Sequence, residues 1–295
     1  MQYRLVADDA TILTLRAGEA SVTVHPADGG RIGQISVGDR ALLVDVPPEA
    51  ARHPMAWGSF PMAPWAGRIR NGRFSFGGED HQLVVNHHDG DGTERAHAIH
   101  GLVFDRPCLA VETPSDGSRS VRLLHELDWP FGGTVTQTID LAESGVSLTL
   151  VVESTDGRFP AEVGWHPWFR KPDRLDFSPI AMYRRDRFGI PTGELVEPAE
   201  GPWDDCFANT EPIVLRYDRP DVPVVVVTSD CDHVVVFDEP ADATCVEPQS
   251  GPPDAFNLSP DLAPGCAGPH VVEPGAPLRR SMRISWPPDD ARIGA

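Results

Sequence analysis

Lysine is almost missing from this chain: Lys171, in the loop-like stretch RKPDR, is the only one among 25 basic residues. Schiff-base chemistry therefore has a single, poorly placed candidate. Cysteine is scarce as well. Cys108, Cys206, Cys231, Cys245 and Cys266 are odd in number and form no CxxC pair, which excludes a disulfide framework and a structural zinc site and predicts a reducing cytoplasm. Long apolar runs are lacking too. The longest, Val222 to Val227, is interrupted by Pro223 and is too short to cross a bilayer, and the first 18 residues contain no apolar signal core. Basic charge falls far short of acidic charge: the formal balance is −19 and the sequence pI about 4.8, a field that repels phosphate backbones and anionic lipid. Nucleic acid and membrane partners are thereby disfavoured, and a neutral small molecule is favoured. GxSxG, P-loop, strand-linked GxGxxG and HExxH motifs are all missing, which removes esterase, triphosphatase, dinucleotide and zincin readings.

What is present is strand punctuation. With 40% hydrophobic residues, 27 glycines and 30 prolines, the chain repeats short β-branched runs closed by Gly, Pro or Asp. They are Ala20–His25, Ile32–Val37, Val121–Leu127, Val146–Glu153, Val222–Thr228 and Val234–Asp238. In GVSLTLVV, from Gly145, polar and apolar residues alternate at period two, the pattern of a sheet with one buried face. Helical period is nearly lacking; only Pro48–His53 suggests a short turn. No linker, repeat or charge block divides the chain, so residues 1–295 are expected to form one all-β domain, a large antiparallel sandwich.

Several stretches could carry chemistry. WGSFPMAPWAGRIRNGRF, from Trp57, sets Trp57 and Trp65 beside Arg68, Arg70 and Arg73: rings that could stack on a pyranose and guanidinium groups that could donate to its hydroxyls, or equally core aromatics and solvated arginines. His100 follows His97 and precedes Gly101, at a strand end opening into a loop, and reads either as an acid or as a structural donor. His166 is caged by Trp165, Pro167, Trp168 and Phe169, where desolvation would tune it or where it is a satisfied core residue. Glu247 leaves an apolar run into a Pro- and Gly-rich loop, an exposure that suits a base. Asp204 and Asp205 could hold vicinal hydroxyls or be turn residues. The run His87, His88, Asp89, Asp91, Glu94 lacks calcium-loop spacing and reads as a polar loop; Arg184, Arg185 and Arg187 read as a solvated basic face or a phosphate grip.

Taken in order, GGRIGQISVGDR, APWAGRIRNGRF, AIHGLVFDRP, VGWHPWF, WDDCF and VEPQSGPPDAFN resemble the aldose 1-epimerase (galactose mutarotase) family nearly end to end. The resemblance implies a β-supersandwich with a sugar cleft. Glu247 would take the proton from the C1 hydroxyl, His166 would protonate the ring oxygen and His100 would orient it; the ring opens, C1 turns and the opposite anomer closes. Arg68, Asp204, Asp205, Trp165, Trp65 and His97 are the implied sugar contacts, with no cofactor, no metal and a monomer or homodimer expected. Two positions depart from the family: Gly67 and His97 stand where Asn is usual. Two alternatives stay open, a hexose-6-phosphate 1-epimerase using Arg70, Arg73 or the Arg184–Arg187 cluster, and a sugar-binding or regulatory module without turnover.

Overall fold

The computed structural model describes residues 12–48, 53–89, 95–112, 118–208, 211–219, 222–258 and 268–287. These form β-strands, with two single 3-10 turns at Pro26–Asp28 and Ala255–Asn257 and no α-helix among the described residues. Among the described residues, every ladder between these strands is antiparallel, as the sequence pattern predicts.

Two sheets dominate. The larger has 11 strands and runs, in spatial order, through Leu13–Ala17, Ala20–His25, Arg31–Val37, Ser59–Met62, Gly164–Arg170, Ala243–Gln249, His233–Phe237, Asp204–Ala208, Ala181–Arg185 and Pro191–Val196, with Arg40–Ala41 on a side branch. The smaller has eight, centred on Thr134–Ala142, Gly145–Glu153 and Leu278–Ser285. One apolar cluster joins them: Leu15, Val22 and Val246 of the larger sheet pack with Leu123, Ile139, Leu148 and Ile284 of the smaller. Each such side chain, once fully buried, contributes roughly 1.5–3 kcal/mol. This is the expected sandwich.

The strand expectations hold to within one residue at each end, with one larger shift. Val222–Thr228 begins later, at Val225, and ends at Ser229, because Pro223 has no N–H to give to a ladder. The turn expected over Pro48–His53 lies largely outside the described residues, as do Asp91, Glu94 and Cys266.

The middle of the larger sheet differs from its flanks. Leu13–Ala17 alternates buried and exposed, whereas all seven residues of Ala243–Gln249 are buried. Val246 belongs to the core between the sheets. Cys245, Glu247 and Gln249 therefore point to the opposite face, since successive side chains of a strand alternate. On the neighbouring strand Trp165 and Phe169 join the same core, and His166 and Trp168 share the face of Glu247. A cavity of about 580 Å³ opens over this face.

Candidate active site

The antiparallel register pairs Gly164 with Gln249 and Trp168 with Cys245, which sets His166 level with Glu247 on adjacent strands. Directly opposed residues bring their Cβ atoms within about 4.5–5.5 Å. His166 Nε2 and Glu247 Oε1 lie 3.2 Å apart, and both residues line the cavity. The second carboxylate oxygen accepts from the Gln249 amide at 3.3 Å.

Rings hold His166 on both sides. Phe60, its partner on the strand Ser59–Met62, stacks at 4.6 Å, and Trp168 lies nearly parallel at 5.4 Å. Behind Phe60 sits Arg31, buried, with its guanidinium 4.8 Å from the Phe60 ring and 4.3 Å from that of Trp57. Arg31 donates to the carbonyls of Trp57 (2.8 Å), Phe104 (3.3 Å) and Pro54. Neither Arg31 nor Phe60 stood out in the sequence. The only signal was that GGRIG ends in a buried strand where a charge must find partners.

His100 arrives from another direction. It ends the strand Arg95–Ile99 with a left-handed φ of 62°, and its N–H donates to Gly67 O at 2.9 Å. Asn86 fixes the preceding residue by accepting from Ile99 N–H at 2.8 Å and donating to Ile99 O at 3.1 Å. Gly101 follows at φ 83°, where a Cβ would come within 2.0 Å of Ala63 O, so only glycine fits. The result is a His100 ring 5.0 Å from that of His166 and perpendicular to it.

Burial sets the electrostatics. Desolvation pushes Glu247 well above the usual carboxylate range; nearby Asp204 adds to the rise, and Arg68 opposes it. Desolvation, helped by Arg31, pushes His166 down to about 3, and desolvation with His166 and Arg68 lowers His100. These effects agree in direction: burial favours the uncharged form of both partners in the 3.2 Å contact.

Other expected residues divide. Arg68 and Asp204 line the cavity. Asp205 does not: its carboxylate is bound to Arg185 Nε at 2.7 Å, while Arg185 Nη1 meets Asp204 at 3.1 Å. Trp165 lies away from the cavity. It lies fully buried between the sheets, because a neighbour of His166 in a strand must face the other way. Trp65 does too, packed with Ile69, Phe74 and Phe256 in a satellite core. His97 accepts from Asn71 N–H at 3.3 Å and braces a turn rather than the cavity. The ring on the cavity wall is Trp168, with Phe237 beside it. Gly67 has φ 63° and would place a Cβ 2.7 Å from Pro253, which explains glycine at this departure from the family pattern.

Among the described residues, the buried polar atoms on cavity-lining residues without a hydrogen-bond partner include His100 Nδ1, His166 Nδ1, Arg68 Nε, Trp168 Nε1 and Gln249 Oε1. The arginines considered for phosphate are otherwise engaged. Arg70 meets Asp186 at 2.8 Å, Arg184 meets Glu194 at 2.7 Å, and Arg73 donates to Gln82 at 2.8 Å.

The aldose 1-epimerase family model matches residues 11–268, and the chain belongs to that family. No curated protein matches it. Among solved structures, an Escherichia coli K12 protein carrying a provisional aldose 1-epimerase description is 22% identical, with a TM-score of 0.76 over 94% of this chain and 99% of the other. The GalM/aldose epimerase homologue of C. elegans is 12% identical, with the same TM-score over 94% and 98%. The galactose 1-epimerase of Lactobacillus acidophilus is 16% identical, with a TM-score of 0.72 over 97% of each chain. At such identities the likeness establishes a shared galactose mutarotase-like fold. Among the described residues, no helix is long and apolar enough to cross a membrane.

Proposed function

We propose that the protein interconverts the α and β anomers of a free aldohexose, with Glu247 as base, His166 as acid and His100 as the group that orients the ring oxygen. The observation that carries this reading is the 3.2 Å contact between His166 Nε2 and Glu247 Oε1 on the cavity floor. The C1 hydroxyl and the ring oxygen share one carbon, so the groups that deprotonate one and protonate the other must themselves be neighbours.

The resting pair already holds the proton that the reaction needs. A neutral carboxyl beside a neutral imidazole carries the same total of protons as a carboxylate beside an imidazolium. Sugar hydroxyls bound against Arg68, Asp204 and the carboxyl stabilise the charged form, and no proton has to come from solvent. Glu247 then accepts the C1 hydroxyl proton while His166 gives its proton to the ring oxygen, which breaks the C1–O5 bond and leaves an aldehyde. Rotation about C1–C2 presents the other face of that aldehyde. Reclosure runs the two transfers backwards, and the pair ends as it began. Trp168 offers a ring face to the apolar side of the sugar. Positioned acid–base catalysis of this kind is worth on the order of 10²–10⁴-fold.

The engaged arginines support a free sugar over its 6-phosphate. NMR of freshly dissolved α-glucose and α-galactose tests the reading: anomer exchange is expected to run well above the buffer rate and no faster on glucose 6-phosphate. Exchange at the buffer rate, with sugar binding seen by calorimetry, would instead support a module without turnover.

A further inference from the structure

We propose that the cavity floor is also a binding site for a borderline-soft divalent cation such as Zn²⁺, held by Cys245, His166 and Glu247, and that such an ion inhibits the protein by occupying the place of the sugar. Binding itself follows from geometry; only its inhibitory consequence rests on the epimerase reading above.

The three residues are brought together by the sheet. Cys245 and Glu247 are two apart on one strand and so share a face, and His166 stands across from Glu247 on the next strand. Their ligand atoms, one sulfur, one imidazole nitrogen and one carboxylate oxygen, all lie within 4.8 Å of one another, and all three side chains are buried. A tetrahedral ion with Zn–S near 2.3 Å and Zn–N near 2.0–2.1 Å needs its ligand atoms roughly 3.3–3.6 Å apart; the His166–Glu247 pair is already at 3.2 Å, and the thiol has to close by up to about 1 Å through side-chain rotation. Mixed S, N and O donors select zinc-like ions over magnesium or calcium.

Three protein ligands leave a fourth position, and two of the three, His166 and Glu247, line the cavity while the thiol lies buried beside them. Burial keeps the Cys245 thiol and the Glu247 carboxyl protonated, so the ion must displace both protons; the thiolate and carboxylate that result are then neutralised by one divalent cation. Binding displaces the thiol proton and the proton shared by Glu247 and His166 to solvent, which closes the proton balance. The reaction proposed above uses Glu247 and His166 but not Cys245. The thiol is therefore the handle that separates metal binding from turnover.

The test titrates the full-length chain with Co²⁺ as a spectroscopic stand-in and with Zn²⁺ in the anomer-exchange assay. One equivalent of Co²⁺ is expected to produce a thiolate-to-cobalt charge-transfer band in the near ultraviolet, and Zn²⁺ to abolish exchange in competition with sugar. Cys245→Ser, with Cys245→Ala as the second variant, is expected to lose the band, keep metal-free exchange unchanged and weaken Zn²⁺ inhibition by about 100-fold; loss of outer-shell partners alone can cost 10–100-fold. A wild-type protein with no band, a band that survives in both variants, or equal Zn²⁺ sensitivity of wild type and variants would each overturn the site. A cobalt band lost in Cys245→Ser from a protein that never accelerates anomer exchange would uphold the metal site and sink the epimerase reading.

Discussion

Glu247 and Glu162 are both buried carboxylates lifted above their ordinary range by desolvation, and only one of them faces a cavity. Glu162 is closed off. The Ser250 hydroxyl donates to one of its oxygens, the His270 N–H donates to the other at 3.3 Å, and Gly251 packs so tightly that a Cβ there would lie 2.6 Å from the carboxyl carbon. Burial takes Glu162 to about 7, opposed by Ser250, His270 and Arg280. Glu247 instead has a weak contact to Gln249, an imidazole that can take or give a proton, and open volume above. Burial makes both groups weak acids; the partners make Glu162 a structural tie, and the reagent role proposed for Glu247 rests on its open side and its imidazole neighbour.

The contrast can be broken most directly by removing each charge in turn. Glu247→Gln is expected to lower anomer exchange by on the order of 10²–10⁴-fold while the chain stays folded, as general acid–base groups typically contribute that much. Glu162→Gln is expected to leave exchange near wild type, and a comparable loss would place both carboxyls in one functional unit.

A smaller effect sharpens the comparison through stability. The folded chain holds the Glu162 proton to about pH 7, against 4.5 for the free group. Its stabilising contribution is therefore full below pH 4.5 and is lost as pH rises through 7, a change on the order of 3 kcal/mol. Urea midpoints between pH 5 and 8 are expected to fall in the wild type and to flatten in Glu162→Gln; parallel slopes would contradict the assignment.

Smallest is the aromatic wall. Trp168→Leu is expected to raise KM by about fivefold with kcat held, since a lost ring contact is worth roughly 0.5–1.5 kcal/mol. A change confined to kcat would assign Trp168 to holding His166 rather than the sugar.

Much of this was legible in the residues, and the failures have physical causes. Period-two alternation is a local property, so Gly145–Glu153 and its neighbours could be read directly. The same rule, carried one step further, separates Trp165 from His166: two adjacent strand residues cannot both face one cleft. Arg31 and Phe60 were hidden because their roles depend on contacts 23 to 73 residues away for Arg31 and on strand pairing for Phe60. Glu162 was hidden for the same reason, as its serine lies 88 positions further on. His100 could be named, but not its left-handed turn, which Gly67, Asn86 and Ala63 impose together.

Placing the proton-handling pair on two central, mutually hydrogen-bonded strands also shapes how this protein can diverge. A single inserted residue in Ala243–Gln249 would swing Val246 into the cavity and bury the carboxyl among hydrocarbons, so length change in that segment is forbidden. The rim segments carrying Met55, His87 and Pro253 bear no such constraint. Under the proposed function, descendants of this chain would trade one sugar for another through these segments and keep the Glu247–His166 pair.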